Sequence, residues 1–511
     1  MKQVFKISAL VFIAFALFSC GGKDKLQDDP RTQTLVVAMS SDAISFDPSA
    51  QNDSYSSNAM RQMYEGLVTL DANNNAVPAL AERFEVSPDG MTYTFYLKKG
   101  IKFHNGEEMK ASDIVFSYKR AVVAPAVAHI YSAIDADSIK AIDDYTVTLN
   151  MKVPYAGILT ALAHPAAFIV NQKAVETAGE SYGRQPVGTG PFKFISHTKS
   201  NNIKMERFED FHGDKPYYKY LEMRIIPEPA NRIIELESGG ADVVLDISPN
   251  DLSRFEGNDQ IKLLKVDDFM TQYMGMNCSK PPLNDIRVRQ AVACSVDTDQ
   301  IVRAVWKGLG GTATAPYAPS LKYSISKDKT PITRDVEKAK KLLAEAGYPD
   351  GIKLRLSTNE RQERIDMATI MKEQMKEAGI DLSIEVMEWS QYIAMLEAGG
   401  QEIFEIGWSS DTPDPDMVVY PCFHSQSVGP GGNFVFIKDA KLDKMIEDGR
   451  KIPDGPEREK LYKELQEYIL DLTVAVFQYN GETAAGIQSN LTGLNLSPLG
   501  SHFFGNIKPR E

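Results

Sequence analysis

Between Gly407 and Asp416 the chain reads GWSSDTPDPD, placing three carboxylates and the indole of Trp408 directly after the apolar run EIFEI. Four uses would suit such a stretch: acid catalysis, metal ligation, turn formation, or an ionic anchor for a positively charged ligand. An EF-hand calcium loop needs a glycine at its sixth position and a glutamate further on, and neither is present. Pro413 and Pro415 stiffen the segment, so Asp414 and Asp416 read as turn carboxylates. The use of Asp411 stays open on this evidence.

A second candidate is Gly179-Glu-Ser-Tyr-Gly183, which matches the G-x-S-x-G elbow of hydrolases. That motif requires a strand before the serine and a helix after it. Here helical NQKAVETA precedes it and RQPVGTGP, rich in turn residues, follows, so a Ser181 nucleophile is the weaker reading. The stretches KGLGGTATAP and PVGTGPF lack the G-K-[ST] of a phosphate-cradling loop and do not spell G-x-G-x-x-G, so they read as turns. Histidines at 104, 129, 164, 197, 212, 424 and 502 are scattered without an H-E-x-x-H pattern, and no metal centre or cofactor is expected. Beyond Cys20, the cysteines Cys278, Cys294 and Cys422 show no C-x-x-C spacing. A Cys278–Cys294 bond and buried free thiols both stay open.

Two arginines break a local rule. Arg361 and Arg364 stand where a helix should begin, although a helix N-terminus favours acids. Such breaks concentrate at functional positions. Trp389 and Trp408 are two of only three tryptophans, and both fall at the ends of expected strands, where an indole can wall a pocket.

The elements that must position these residues are legible in part. TYTFYL sets Tyr93, Phe95 and Leu97 on one face, and DYTVTLNM does the same with Tyr145, Val147 and Leu149, so both predict half-buried strands. Pro88-Asp89-Gly90 predicts a hairpin turn before the first of them, and residues 111–121 predict a helix. From about residue 333 the chain alternates regularly between helix and strand. DVEKAKKLLAEAG lines up Val336, Ala339, Leu342, Leu343 and Ala346. RQERIDMATIMKEQMKEAG lines up Ile365, Ala368, Met371, Met375 and Ala378. With the strands IKLRLS, DLSIEVMEW and QEIFEIGW between and after them, this order predicts a parallel sheet flanked by helices. Ligands of such sheets bind beyond the carboxyl ends of the strands, where Arg361, Trp389, Trp408 and Asp411 all fall.

The chain begins MKQVFKISALVFIAFALFSCGG, with Lys2 and Lys6 before an apolar stretch too short to span a bilayer, which takes about 20 residues. This predicts an export signal over residues 1–19. Its ending resembles a lipoprotein lipobox, which implies lipidation of Cys20 and a solvated tether over 20–32. Loss of Lys2 and Lys6 takes the formal charge from −13 to −15, a balance that repels nucleic acid. The remaining 492 residues exceed the roughly 250 that one core supports, so two or three domains are expected.

The segment PALAERFEVSPDGMTYTFYLKKGIKFHNGEEMKASDIVFSYKRA, residues 78–121, resembles solute-binding family 5, the dipeptide and oligopeptide binders of ABC importers. YEGLVTLD at 64–71, PVGTGPFKF at 186–194, NCSKPPLNDIRVRQAVACSVD at 277–297, AKKLLAEAGYPDG at 339–351 and GWSSDTPDPD extend the resemblance over the mature chain. It implies an α/β, bilobed type II periplasmic-binding fold with a hinge between the lobes. Domain I would comprise 33–67, 187–277 and 481–511, domain II 68–186, and domain III 278–480. It further implies a monomeric, lipid-anchored binding protein on the periplasmic side of the envelope, not an enzyme, that hands short peptides to permease subunits. Trp408-Ser-Ser-Asp411 matches the motif whose aspartate pairs with the peptide ammonium. Arg361 matches a carboxylate-binding arginine, with Arg364 or Arg355 as alternatives, and Trp389 and Trp408 match pocket aromatics. Relatives of this fold also take nickel chelates, haem, sugars or opines.

Overall fold

The computed structural model describes residues 31–510, so the signal-like segment, Cys20 and most of the tether lie outside the described residues. Strand β1 (Thr34–Met39) is buried at five of its six positions, the pattern of a strand covered on both faces. Helix α1 (Ser54–Met63) begins where the Asp53 carboxylate accepts the Ser56 N–H. A four-stranded antiparallel sheet follows, built from β2 (Ala81–Val86), β3 (Thr92–Leu97), β4 (Ile134–Asp143) and β5 (Thr146–Met151) in the order β2-β3-β5-β4. Helix α2 (Ala111–Ala121) packs on it. The expected hairpin forms with Gly90 at φ 68°, a left-handed turn conformation that glycine adopts without steric cost.

Strands β6 (Phe192–Thr198), β7 (Asn202–Arg207) and β8 (Tyr220–Ile225) form an antiparallel run beside β1. The two-residue β9 (Val243–Val244) and the sixteen-residue β10 (Ile261–Met276) come next. The expected alternation then appears as α3 (Val336–Glu345), β11 (Ile352–Asn359), α4 (Gln362–Glu377), β12 (Ile380–Met387), α5 (Trp389–Glu397) and β13 (Ile403–Ser409). Strand β11 pairs in parallel with both β12 and β13. Helices α6 (Asp416–Phe423), α7 (Ala440–Lys451) and α8 (Pro456–Leu472) precede β14 (Ala475–Gln488).

One eleven-stranded sheet threads both lobes in the order β12-β11-β13-β10-β14-β9-β1-β8-β7-β6, with Gly311–Thr312 alongside β14. The long strands β10 and β14 belong to both lobes. Residues 261–267 of β10 pair with 482–488 of β14 beside β9, whereas residues 271–275 pair with 475–480 beside β13. The register shifts between these halves, leaving Asp268, Phe269 and Met270 opposite Gly481. A Cβ at position 481 would lie 2.3 Å from Asp268 Oδ1, so glycine is the residue that lets this bulge close.

Separate apolar cores flank the two halves. Leu35, Phe46, Met60, Phe192 and Leu221 belong to one on the first half, and Phe95, Phe103, Ile114 and Leu149 to another under the four-stranded sheet. On the second half, Phe404, Ile406, Val419 and Leu465 pack on one face and Leu356, Met367, Met371 and Ile403 on the other.

Two local expectations shift. The expected stripe of α4 is buried at Ala368, Met371, Met375 and Ala378 and shifts only at its start, where Arg364 and Met367 are buried and Ile365 is half-buried over the sheet face that carries Leu356 and Ile403. Trp389 opens α5 instead of ending the strand before it, because Glu388 caps that helix by accepting the N–H groups of Ser390 and Gln391. Cys278, Cys294 and Cys422 are free thiols, so the Cys278–Cys294 bond does not form. Among the described residues no helix is long and apolar enough to cross a membrane.

Candidate functional site

Strand β13 delivers GWSSD to the junction of the lobes, and the residues that follow fix it there. Asp414 and Asp416 are more than turn residues. Asp414 is 2% exposed and accepts 2.7 and 2.9 Å hydrogen bonds from Arg458 of α8, itself fully buried. Its Oδ1 also accepts the Asp416 N–H at 2.9 Å, and Asp416 pairs with Arg450 of α7 at 3.2 Å. Burial pushes the Asp416 carboxyl up to about 7 despite Arg450. The sequence offered no sign of these pairs, because their arginines lie more than thirty residues further on. They clamp the loop, so Asp411 projects from a rigid base.

The Asp411 carboxylate meets two partners from the other lobe. Its Oδ2 accepts a 3.0 Å hydrogen bond from His129 Nε2, and its Oδ1 accepts one of 3.3 Å from Asn52 Nδ2. Burial by itself would raise its pKa. The His129 hydrogen bond, the fields of His164 and His129, and the Asn52 amide outweigh that and hold the carboxyl below its ordinary range. His129 is correspondingly raised, chiefly by its hydrogen bond to Asp411. His164 is pushed down to about 4 by burial, partly offset by the field of Asp411. Asp411 lines a cavity of about 180 Å³ together with Ser54, Ser57, His164, Ser410 and Ser501. Asp53, whose Oδ1 caps α1, lines the same cavity, so two carboxylates share a wall of hydroxyl groups, a place for a cation with hydrogen-bonding neighbours.

The other residues singled out in the sequence lie elsewhere around β13. The Trp408 indole donates to the Met417 carbonyl at 2.8 Å and packs into the second-lobe core under Gly432. Arg364 is 6% exposed, donates to Asn359 Oδ1 at 2.9 Å, sits beside Gly407 and lies 5.9 Å from the Trp389 ring. Its Nε has no hydrogen-bond partner among the described residues. Arg361 is half-exposed, bonds Glu363 at 3.1 Å and lies 5.7 Å over the Trp306 ring. Arg355 donates to the Gly400 carbonyl and pairs with Glu385. Alternation along a strand accounts for the division, since Gly407 and Trp408 face opposite sides of the sheet. Trp389 and the three arginines thus form no part of the lining around Asp411, nor does Trp408. Asn52, His129 and His164 were not legible from the sequence, because the fold brings them from 247 or more positions away.

The hydrolase elbow does not form. Ser181 sits in a 3-10 turn (Gly179–Arg184) after the helix Gln172–Ala178, and its Oγ donates to the Ala178 carbonyl at 2.7 Å. Among the described residues no cluster of His, Cys, Asp or Glu could hold a metal ion.

Residues 75–430 match the family described as bacterial extracellular solute-binding proteins, family 5. The glutathione-binding protein GsiB of Pectobacterium atrosepticum is 28% identical over 472 residues, or 91% of each chain. The dipeptide-binding protein of Escherichia coli K12 is 28% identical over 508 residues, 93% of this chain and 95% of that one. The ABC transporter-associated periplasmic binding protein DppA from Helicobacter pylori, solved in complex with the peptide STSA, is similar with a TM-score of 0.78. It is 27% identical and covers 94% of this chain and 98% of that one. With this match unbroken from residue 75 to residue 430 and with two lobes sharing the strands β10 and β14, the chain belongs to the bacterial extracellular solute-binding proteins of family 5.

Proposed function

We propose that the protein is the substrate-binding lipoprotein of a peptide ABC importer, which captures short peptides between its lobes and delivers them to the permease without chemical change. The observation that carries this reading is the Asp411 carboxylate, held ionised at a cavity walled by both lobes. A peptide has fixed charges at its ends and variable side chains between them. A carboxylate for the ammonium group and hydroxyls for the backbone therefore accept many sequences. The names of the relatives, dipeptide-binding and glutathione-binding, support this ligand class. Closure would be a hinge motion about the register shift at Asp268–Met270 and Gly481, and Cys20 would carry the lipid that keeps the protein at the membrane surface.

Isothermal titration with dipeptides, tripeptides and glutathione, each beside its N-acetyl derivative, tests the reading. Free peptides should bind and acetylated ones should bind at least tenfold more weakly, since a charge-assisted hydrogen bond contributes about 1.5–3 kcal/mol. Binding that survives Asp411→Asn undiminished, or no heat from any free peptide, refutes it. Mass spectrometry of ligand released from the purified protein separates a peptide from a metal chelate, haem, sugar or opine.

A further inference from the structure

Two donors of the first lobe line the Asp411 cavity and find no acceptor for their hydrogens among the described residues. His164 precedes the short 3-10 turn Pro165–Ala167, and its Nδ1 accepts the Ala166 N–H at 3.2 Å. The ring hydrogen therefore sits on Nε2. Asp411 does not take that hydrogen, since its two oxygens accept from His129 and Asn52 instead. Ser57 of α1 uses its N–H in a 3.1 Å bond to the Asp53 carbonyl, and its hydroxyl is left unbonded.

His164 is 7% exposed and Ser57 6%, so each is more than nine-tenths buried, yet Nε2 and Oγ keep accessible surface and both residues line the cavity. A buried donor left without an acceptor costs free energy, and native proteins leave few of them. An acceptor inside the cavity removes that cost. The lobes supply complementary halves: Asp411 comes from the second and offers a negative charge, while His164 and Ser57 come from the first and offer hydrogens. A solute group that carries a cation and an acceptor side by side satisfies both and joins the lobes.

We propose that His164 Nε2 and Ser57 Oγ form a carbonyl subsite, so that the cavity takes an α-aminoacyl head whose ammonium group pairs with Asp411 and whose carbonyl oxygen, on the next carbon, accepts from these two donors. This rests on the peptide reading and adds a selection to it. Peptides and α-amino amides are preferred over simple amines and over ω-amino acids that have no carbonyl beside the ammonium-bearing carbon. The size agrees: a cavity of about 180 Å³ holds about six water-sized atoms at roughly 30 Å³ each. The ammonium nitrogen, Cα, Cβ, the carbonyl pair and the amide nitrogen after it make up that number. The rest of the solute extends out of this cavity, so the head is read and the chain beyond it is free to vary.

Isothermal titration of the full chain with glycylglycine and with 5-aminopentanoate tests the proposal. The two share an ammonium group, a carboxylate and the number of backbone atoms between them, and differ only in the peptide group. Wild type should bind glycylglycine about fivefold more tightly or better, the lower end of what leaving a buried donor unpaired costs. His164→Asn keeps an oxygen where Nδ1 accepts the Ala166 N–H but loses the distal donor. It should weaken glycylglycine toward the level of 5-aminopentanoate and leave 5-aminopentanoate unchanged, while His164→Gln, whose amide reaches the Nε2 position, should retain part of the preference. Ser57→Ala should narrow the ratio in the same direction, and it decides the matter if His164→Asn does not fold. Equal binding of the two probes by wild type, or a ratio unchanged in both His164→Asn and Ser57→Ala, overturns the carbonyl subsite, and the peptide reading then stands if Asp411→Asn abolishes binding. No heat from glycylglycine, alanylalanine or 5-aminopentanoate overturns both.

Discussion

His129 competes for the carboxylate that the ligand needs, and the competition should follow pH. Its Nε2 lies 3.0 Å from Asp411 Oδ2, so an incoming ammonium group must share or displace that hydrogen bond. Its folded pKa is raised above 6.5, first by the hydrogen bond to Asp411, so the His129–Asp411 interaction is fully present below pH 6.5 and is lost as pH rises through the higher folded value. Peptide affinity should therefore fall as pH is lowered from 8 to 5.5. The His129 side chain is 52% exposed and that of Asp411 31%, so screening limits the effect to the roughly 0.2–1 kcal/mol of an accessible pair, or about 1.4- to 5-fold in Kd. Titration calorimetry across that range on wild type and His129→Gln checks this. Wild type should weaken towards acid pH, while the variant should bind more tightly at pH 5.5 and show a flatter profile. An equal slope in both proteins, or a variant that binds more weakly at every pH, would refute the reasoning.

Other consequences follow from the same geometry. Arg458→Met leaves Asp414 buried without its partner, so unfolding in urea should show a loss of about 3–5 kcal/mol. An unchanged midpoint would show that the pair does not hold the loop. Gly481→Ala sets a Cβ against Asp268 Oδ1, and its Tm should drop, with a shifted radius of gyration in small-angle scattering if the bulge is the pivot of the lobes. Asp268 is pushed up to about 7 by burial, so the folded state keeps a proton that the unfolded chain has lost, and its contribution to stability declines as pH rises from about 4 to 7. Asp268→Asn should flatten that part of the Tm profile, and an unaltered profile would place the titrating group elsewhere.

How much of this was legible in the sequence depended on the range over which each signal acts. The hairpin at Gly90, helix 111–121 and the alternation from residue 336 to 409 rest on periodicity and turn chemistry within a few residues, and the structure carries them. Trp389 was assigned to a strand because the Glu388 cap, a single side chain, was outweighed by the apolar run before it. The rest of the α4 stripe was legible, but its first position was not, because Ile365 and Met367 are both apolar and only the sheet face beneath decides which of them is covered.

The sequence by itself determined the elements, the family resemblance and the position of Asp411 just past a strand, since all of these depend on neighbours along the chain. Only the tertiary structure decided what Asp411 meets. Asn52, His129 and His164 reach it from far away in the chain, Arg458 clamps its loop from behind, and its place beyond the end of β13 sets it apart from the arginines and tryptophans that precede it. Such contacts are set by the packing of separate cores around shared strands, and packing distances leave no trace in linear spacing.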